Sequence, residues 1–442
     1  MISFHLPRIL PILVVFFLGG CTELTIDWAA LDPKGEPAFP PINTENQDKT
    51  AWKEDITPRL QDLLQSSVFG HLPDASTTEV LERRRVADDA FNGLAHYDEI
   101  TVRVTPSFST DTNLTAVANG EDDNAAEFMI ALITPKERPS SPVIIMETFC
   151  ARWNAAPHPS ATTPEGAEQS GGFFGVIATY VFGRYICTPP FEEILSRGYA
   201  VAVVSPQSVV PDQSRAGLAA LRRLSKDMPK QNARWGAIAA WGWTYSRAVD
   251  ALLEEPTIDP DGIIVWGHSR YGKAALVAAA FDPRIDAVIA HQSGTGGASL
   301  NWDKPGESID GITTSYPHWF ADAYKDLADA SEGKGPRPAF DQHMLLALIA
   351  PRPILLGNAR RDVWSDPNGA FRAAIGATPA YTLLGKKGLS AKRLNEFVPS
   401  DDIAFWLRPG THGVVKEDWP AFLSFLDAHI GAFSSTMDAR GE

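Results

Sequence analysis

The stretch that decides the fold is Ile264-Val-Trp-Gly267-His-Ser269-Arg-Tyr-Gly272-Lys273. An apolar run ends at Gly267, and an alanine-rich segment typical of a helix begins just after Ser269. A buried strand that turns at once into a helix is the setting of a nucleophile elbow, which presents a serine hydroxyl above the sheet. The usual Gly-x-Ser-x-Gly pattern is broken, because the second glycine is Gly272. The alternative role for Ser269 is a helix N-cap, but the strand-turn-helix context favours the nucleophile.

Apolar runs alternate with helix-like segments on both sides of this elbow. Tyr199–Val204 and Ile263–Trp266 are almost unbroken apolar runs, as expected for strands covered on both faces. The alternation predicts an α/β-hydrolase fold, in which helices cover both faces of a mostly parallel central sheet in a three-layer sandwich. Two long loop insertions, Arg152–Pro189 and Ser299–Phe340, are typical of lids or binding loops.

Composition excludes several classes of protein. The 442 residues carry a net charge of −15, with 44% apolar and 21% charged residues, which is an ordinary globular composition. An acidic chain lacks the basic surface that nucleic-acid binding requires. Gly294-Thr-Gly296-Gly297 lacks the third glycine of a dinucleotide-binding loop and the helix after it. No Cys and His spacing resembles a zinc site, so we expect no cofactor, no metal and no nucleic-acid partner.

The N-terminus predicts export. Residues 1–20 combine Arg8 with a short apolar run and end in Leu-Gly-Gly before Cys21, which resembles a lipoprotein signal peptide of bacterial type. We expect a lipid on Cys21, a tether over 21–50, a single catalytic domain over 51–432 and a flexible tail over 433–442. The protein would be a monomer in the periplasm or on the outer membrane, held to the membrane by the lipid alone.

The two remaining cysteines, Cys150 and Cys187, would meet an oxidising compartment after export. Sequence alone does not show whether their Cα atoms come close enough to form a disulfide. Pairing and two free thiols both stay open at this point.

Two cations follow the nucleophile candidate. Arg270 and Lys273 lie three residues apart, so they share one face of the first helical turn, where the helix dipole disfavours positive charge. A local rule broken at a candidate site points to function. These cations suit a substrate that is acidic or that develops negative charge; the alternative is that both side chains bend into solvent.

A serine nucleophile needs a base. On this fold the catalytic residues follow one another along the chain in the order serine, acid, histidine. His412 directly follows the last expected strand, and Asp362 follows the strand before it. We therefore assign His412 as the base and Asp362 as the acid that orients its imidazole. Asp366 competes with Asp362, but it precedes Pro367 and is more typical of a cap. His343 lies in an expected helix and is assigned a structural role.

The nucleophile segment resembles the Gly-Cys/His-Ser-Arg-x-Gly-Lys segment of the glucuronoyl esterases, carbohydrate esterase family fifteen. That segment accounts for the displaced glycine. The resemblance covers most of the chain from about Trp52 onward. Other matching pieces are Ser293-Gly-x-Gly-Gly, Gly306-Glu307, Tyr316-Pro-His-Trp319-Phe, Asp362-x-Trp364-Ser-Asp366-Pro and Asp418-Trp419.

The resemblance implies hydrolysis of the ester between 4-O-methyl-glucuronic acid on xylan and lignin alcohols, through an acyl-enzyme on Ser269. It implies that Arg270 contributes to the oxyanion hole, and that Lys273, Glu307 and Trp364 hold the glucuronate. From the residues alone, Glu307 could equally be a solvated loop carboxylate and Trp364 a packed core aromatic.

Two departures from the family bear on this assignment. Many members carry a glutamate before the Ser-Gly motif, and this glutamate can act as the triad acid. Here that position is Gln292, and an amide cannot replace a carboxylate. We therefore place Gln292 with the substrate-binding residues and keep Asp362 as the acid. The insert after Arg152 also differs from the family's usual loop, which leaves its role open.

Three functions remain to be compared. The first is the glucuronoyl esterase, whose substrate is a uronic-acid-containing glycan ester. The second is a related carbohydrate esterase of acetyl xylan esterase type. The third is a non-catalytic lipoprotein that binds glycans on a degenerate scaffold, which only Gln292 favours.

Overall fold

A nine-stranded sheet forms the centre of the protein. The computed structural model describes residues 28–108, 124–165, 179–228, 234–331 and 333–431, and the strand order is β1-β2-β3-β5-β4-β6-β7-β8-β9. The strands are β1 (Ala75–Asp89), β2 (Ala95–Ser107), β3 (Ala126–Pro135), β4 (Ser141–Glu147), β5 (Ala200–Val204), β6 (Ile258–His268), β7 (Ala287–His291), β8 (Ile354–Ala359) and β9 (Ile403–Arg408).

The sheet is antiparallel at one side and parallel over the rest. β1, β2 and β3 pair antiparallel with their neighbours, and the six strands from β5 to β9 in spatial order pair parallel. Parallel strands have their carboxyl ends at one edge, and ligands of open α/β sheets bind at that edge. The predicted mostly parallel α/β-hydrolase sheet is confirmed.

Both faces of the sheet are buried, because neighbouring residues along a strand point to opposite sides. In β4, Val143 and Ile145 belong to one apolar core, and Ile144 and Met146 belong to the other. This arrangement explains why the strands read as continuous apolar runs.

Helices cover the two faces. The long central ones fill the first core, and the C-terminal one fills the second. In chain order they are α1 (Lys49–Ala51), α2 (Thr57–Leu64), α3 (Ala90–Gly93), α4 (Arg152–Ala155), α5 (Phe191–Ser196), α6 (Ser214–Leu224), α7 (Ala237–Leu252), α8 (Arg270–Phe281), α9 (Ile309–Ser315), α10 (Asp322–Lys325), α11 (Ala328–Ser331), α12 (His343–Ile349), α13 (Pro367–Leu383) and α14 (Asp418–His429). Five-residue π-helical segments, Trp52–Ile56 and Gln65–Phe69, flank α2.

The sequence pattern does not reveal β1 or α13. β1 is a polar, largely exposed edge strand, so it lacks the apolar run by which the other strands are recognised. α13 contains Gly376 and Pro379, which normally argue against a helix interior. A Cβ on Gly376 would lie 2.4 Å from the Cβ of Ala38, so the glycine allows the N-terminal segment to approach the helix closely.

The expected tether differs from the structure. From Trp28 onward the segment lies against the catalytic domain, since Ala29 N donates to Arg360 O at 2.8 Å and Arg372 Nη1 donates to Glu36 O at 3.3 Å. Ile42 is buried in the first core. These contacts make residues 28–50 part of the domain surface instead of a free spacer. The expected signal peptide, Cys21 and the tail over 433–442 lie outside the described residues.

One buried histidine gives the fold a pH-dependent stability. His343 in α12 is fully buried, and burial lowers its pKa to about 4, although the Pro40 backbone acts in the opposite direction. Its unfolded pKa is about 6.5. Between these values the unfolded chain binds the extra proton, so the stability contribution is present above pH 6.5 and is lost on acidification.

We predict that the free energy of unfolding falls by about 2 kcal/mol more between pH 7 and pH 5 in the unmodified protein than in His343→Asn. Urea unfolding at both pH values measures this difference. All other histidines are common to both proteins. Equal losses of unfolding free energy in the two proteins would therefore contradict the lowered pKa of His343.

Candidate active site

The elbow at Ser269 is a strained turn between β6 and α8. Ser269 has φ 55° and ψ −121°, a conformation that non-glycine residues rarely adopt. Its N–H donates to His291 O at 2.8 Å. A Cβ on Gly267 would lie 2.0 Å from Tyr271 O, and one on Gly272 would lie 3.0 Å from Gly267 O. The displaced glycine therefore serves the same close strand-helix packing as the usual one.

His412 and Asp362 form a directly hydrogen-bonded pair. Their loops follow β9 and β8, and His412 Nδ1 lies 2.7 Å from Asp362 Oδ2. Since a carboxylate only accepts hydrogen bonds, Nδ1 carries the proton and Nε2 is left with its lone pair. This is the tautomer that a general base needs.

The surroundings of Asp362 favour its ionised form. Burial by itself would raise the pKa of this carboxyl, but the charge and hydrogen bond of His412 and the hydrogen bonds from Ser365 hold the pKa below its ordinary value. Ser365 N donates to Asp362 Oδ1 at 3.3 Å, and Ser365 Oγ lies 3.4 Å from His412 Nδ1. Asp366, the competing acid, instead caps α13 by accepting from Gly369 N at 2.9 Å.

Gln292 holds the loop of the base. Its side-chain Oε1 accepts from Gly413 N at 2.8 Å, and the residue is only 1% exposed. The structure shows this contact, and the expected substrate contact of Gln292 stays a prediction. The amide oxygen can accept a backbone N–H as a carboxylate would, so Gln292 retains the loop contact and leaves the charge to Asp362.

Arg270 lies among aromatic rings. Its guanidinium carbon is 5.2 Å from the ring centre of Phe149, 5.8 Å from that of Tyr316 and 4.9 Å from that of Trp319. Its Nη1 also pairs with Asp212. The alternative that this side chain bends freely into solvent is wrong, because only 24% of it is exposed.

Lys273 is buried and engaged by protein acceptors. Its Nζ donates to Ser293 O at 2.6 Å and Thr295 O at 2.7 Å, and it lies 3.5 Å from Glu307 Oε2. A Cβ on Gly294 would lie 3.4 Å from Glu307 Oε2 and 3.6 Å from Lys273 Nζ. The lysine therefore shapes the loop after β7 and presents Glu307 beside it.

Trp364 is not a core aromatic. It is 54% exposed, and its backbone oxygen accepts from Glu307 N at 3.1 Å. The backbone of Trp364 thus adjoins that of Glu307, on the loop that also carries Asp362. An exposed flat ring matches a sugar, whose C–H face can pack on the ring.

Two buried imidazoles lie behind the base, and sequence reasoning missed them. The ring centre of His268 is 4.6 Å from that of His412, and His268 Nδ1 is 3.1 Å from His291 Nδ1. Burial lowers the pKa of both His268 and His291 well below the ordinary value. They are neutral at pH 7 and add no charge beside His412.

The insert after Arg152 is anchored on both sides of the site. Cys150 and Cys187 form a disulfide with a Cα–Cα distance of 5.4 Å, which resolves the open question of their pairing. Val414 N donates to Phe182 O at 2.7 Å, so the insert also contacts the loop of the base. A cavity of about 600 Å³ lies beside it, lined in part by Phe149 and Trp153.

Within the described ranges, no group of three or more His, Cys, Asp or Glu is arranged to hold a metal ion. In the same part of the chain, no helix is both long and apolar enough to cross a membrane.

The fold and the site together define the class. A serine on a strained elbow, with a histidine and an aspartate on the loops after the last two strands, is the arrangement of a serine hydrolase with the α/β-hydrolase fold.

Comparison with known proteins identifies the family. A family model described as glucuronyl esterase, fungi, matches residues 223–385. The carbohydrate esterase MZ0003, from an unknown prokaryotic organism, is 32% identical over 393 residues, which cover 86% of this chain and 85% of that protein. A 4-O-methyl-glucuronoyl methylesterase of Wolfiporia cocos is 30% identical over 51% of this chain. The chain spans about half the length of that fungal relative, 53%.

Comparison with solved structures leads to the same family. A promiscuous CE15 esterase from a marine bacterial metagenome has a TM-score of 0.71 at 27% identity, covering 92% of this chain and 98% of that one. A glucuronoyl esterase from Solibacter usitatus has a TM-score of 0.71 at 28% identity, covering 90% and 98%. This chain belongs to carbohydrate esterase family 15, the glucuronoyl esterases, and is a carboxylic ester hydrolase.

The acid can be assigned by comparing two substitutions. We predict that Asp362→Asn lowers kcat by about 10³- to 10⁴-fold, because the neutral amide stabilises the wrong histidine tautomer. Gln292→Ala should cost less than about tenfold, since it removes only the contact to Gly413. Steady-state kinetics on an activated ester, with melting curves to verify folding, measure both. A larger loss for Gln292→Ala would mean that Asp362 is not the acid.

Proposed function

We propose that this protein hydrolyses esters between (4-O-methyl-)glucuronic acid of glucuronoxylan and lignin-type alcohols. The proposal is supported most directly by the exposed ring of Trp364 on the loop that also holds Asp362. The backbone of that loop is hydrogen-bonded to Glu307 at Trp364. An exposed aromatic ring on this loop fits a sugar bound close to the ester-cleaving groups. The relatives named as methylesterases of 4-O-methyl-glucuronic acid support the same substrate.

The acylation half-reaction uses Ser269 and His412. The Ser269 hydroxyl oxygen forms a bond to the ester carbonyl carbon while its proton passes to His412 Nε2. Asp362 stabilises the resulting imidazolium and keeps it oriented. The carbonyl oxygen becomes an oxyanion, and we assign its stabilisation to the Arg270 backbone N–H at the start of α8 and to the Arg270 guanidinium.

The intermediate then collapses. The bond from the carbonyl carbon to the alcohol oxygen breaks, and the proton on His412 passes to that oxygen, so the alcohol leaves neutral. Water then attacks the glucuronoyl-Ser269 ester: its proton passes to His412 while its oxygen bonds to the carbonyl carbon. The bond from that carbon to the Ser269 oxygen then breaks, and His412 returns the proton to Ser269. The products are one alcohol and one uronic acid.

Charge balance in the site fits an ester better than a free acid. Arg270 is paired with Asp212, and Lys273 lies by Glu307. The two cations that follow the nucleophile therefore do not give the site a net positive charge. A glucuronate ester is neutral at its carboxyl group, whereas the released acid is an anion that such a site does not retain by charge.

We further propose that the protein acts as an exported monomer with a lipid on Cys21. The disulfide between Cys150 and Cys187 supports export, because disulfides persist in oxidising compartments. Membrane fractionation of cells carrying the full chain or Cys21→Ala tests the anchor.

The substrate assignment is tested by hydrolysis of benzyl glucuronate with a chain lacking residues 1–21. We predict turnover that Ser269→Ala lowers by at least about 10⁴-fold, because the nucleophile is lost while the fold remains. Product release followed by chromatography gives both rates. Equal or faster turnover of an acetylated xylan would assign the site to an acetyl esterase. Uronate binding without turnover or phosphonate labelling would indicate a glycan-binding protein.

A further inference from the structure

The loop after β5 places a carboxylate on the Arg270 side chain. We propose that Asp212 is a positioning residue, which fixes the Arg270 guanidinium where it stabilises the oxyanion. This inference rests on the oxyanion role given to Arg270 in the proposed function. Asp212 lies 58 positions before Arg270, and no motif in the sequence connects them.

Three donors converge on this carboxylate. Its Oδ2 pairs with Arg270 Nη1. Its Oδ1 accepts from Trp319 Nε1 at 2.8 Å and lies 3.1 Å from His318 Nε2. Asp212 has only 7% of its side chain exposed, so water does little to weaken these contacts. A buried carboxylate with three fixed donors has one orientation, and it transmits this orientation to the arginine.

Only one of the three donors carries charge. Burial lowers the pKa of His318 to about 4, so its imidazole is neutral at pH 7 and donates through Nε2–H. Trp319 donates a neutral indole N–H. The negative charge of Asp212 is therefore directed at Arg270 alone.

The aromatic rings limit the remaining freedom of the guanidinium. Trp319 makes two contacts: its indole N–H donates to Asp212, and its ring centre is 4.9 Å from the Arg270 guanidinium carbon. Tyr316 stacks on Trp319 with ring centres 3.8 Å apart. Rotation of Arg270 away from the site would have to break the ion pair and leave these ring contacts. Nη1 is used by Asp212, whereas the buried Nε has no hydrogen-bond partner among the residues that the structure describes.

The backbone that carries Asp212 is itself held. Trp241 Nε1 donates to Val210 O at 2.9 Å, and Gly217 N donates to Gln213 O at 2.6 Å as α6 begins. The loop is thus tied to α7 on one side and to α6 on the other. Such a supporting shell is what preorganised electrostatic catalysis requires, because a donor is effective only when it needs no rearrangement during the reaction.

A double-mutant cycle on Asp212 and Arg270 tests the proposal. Asp212→Asn keeps the shape and an acceptor for Trp319 but removes the negative charge that pairs with Arg270. We expect this variant to lower kcat on benzyl glucuronate by about tenfold to a hundredfold, with KM changed less than about twofold. In an Arg270→Ala background, Asp212→Asn should change kcat by less than about twofold, because the group that it positions is gone.

Asp427→Asn is the matched control. Asp427 pairs with Arg197 at 2.5 Å far from the site, so this variant should keep the unmodified kcat. Trp319→Phe is a second probe, which keeps an aromatic ring and removes one donor to Asp212. Trp319→Phe should lower kcat by about threefold to tenfold, again only when Arg270 is present. This second variant keeps the proposal testable if Asp212→Asn fails to fold.

The outcomes distinguish the positioning role of Asp212 from the oxyanion role of Arg270. Unchanged kcat in Asp212→Asn, or the same loss with and without Arg270, would overturn the positioning role alone. An Arg270→Ala variant that retains the unmodified kcat would overturn the oxyanion role of the arginine, and the positioning role with it. Coupled losses with intact KM and melting temperature support both.

Discussion

The active site depends on the contact between β6 and α8, where the chain packs too closely for any side chain at Gly267. A Cβ there would lie 2.0 Å from Tyr271 O, so the turn between them must be tight, and Ser269 takes a positive φ of 55°. That conformation lifts the hydroxyl out of the sheet and directs the N-terminal amides of α8 toward the same point. Everything else in the site is arranged around this serine.

The parallel sheet supplies the other groups from neighbouring strand ends. The loops after β7, β8 and β9 carry Glu307, Asp362 and His412, and Gln292 ties two of these loops together through Gly413. Arg270 and Lys273 each have a carboxylate partner, Asp212 and Glu307, while the buried Asp362 is held by hydrogen bonds from His412 and Ser365. These partners lower the cost of burying charge in the low dielectric of the interior. A site without net positive charge suits an ester substrate and leaves fixed donors for the charge that develops during the reaction.

The sequence predicts those parts of the molecule that local pattern controls. The elbow, the buried strands and the chain order of acid and base each have a local signature, and Asp362 and His412 are found together as expected. The pattern does not reveal β1, because an edge strand needs no apolar run. It does not reveal α13, because this helix contains Gly376, which packs against Ala38, and Pro379. Asp212 and the pair His268 and His291 escape because their partners are distant in sequence and meet only in the folded chain.

The activation of Ser269 is tested most directly by covalent labelling of the intact protein with a serine-reactive phosphonate. Mass spectrometry of the whole chain and of its peptides measures the label. We predict one phosphonate per molecule, located on Ser269. We predict almost no label in His412→Ala, because the Ser269 hydroxyl then lacks its base. A label on another residue, or full labelling of the His412→Ala variant, would contradict a nucleophile activated at this elbow.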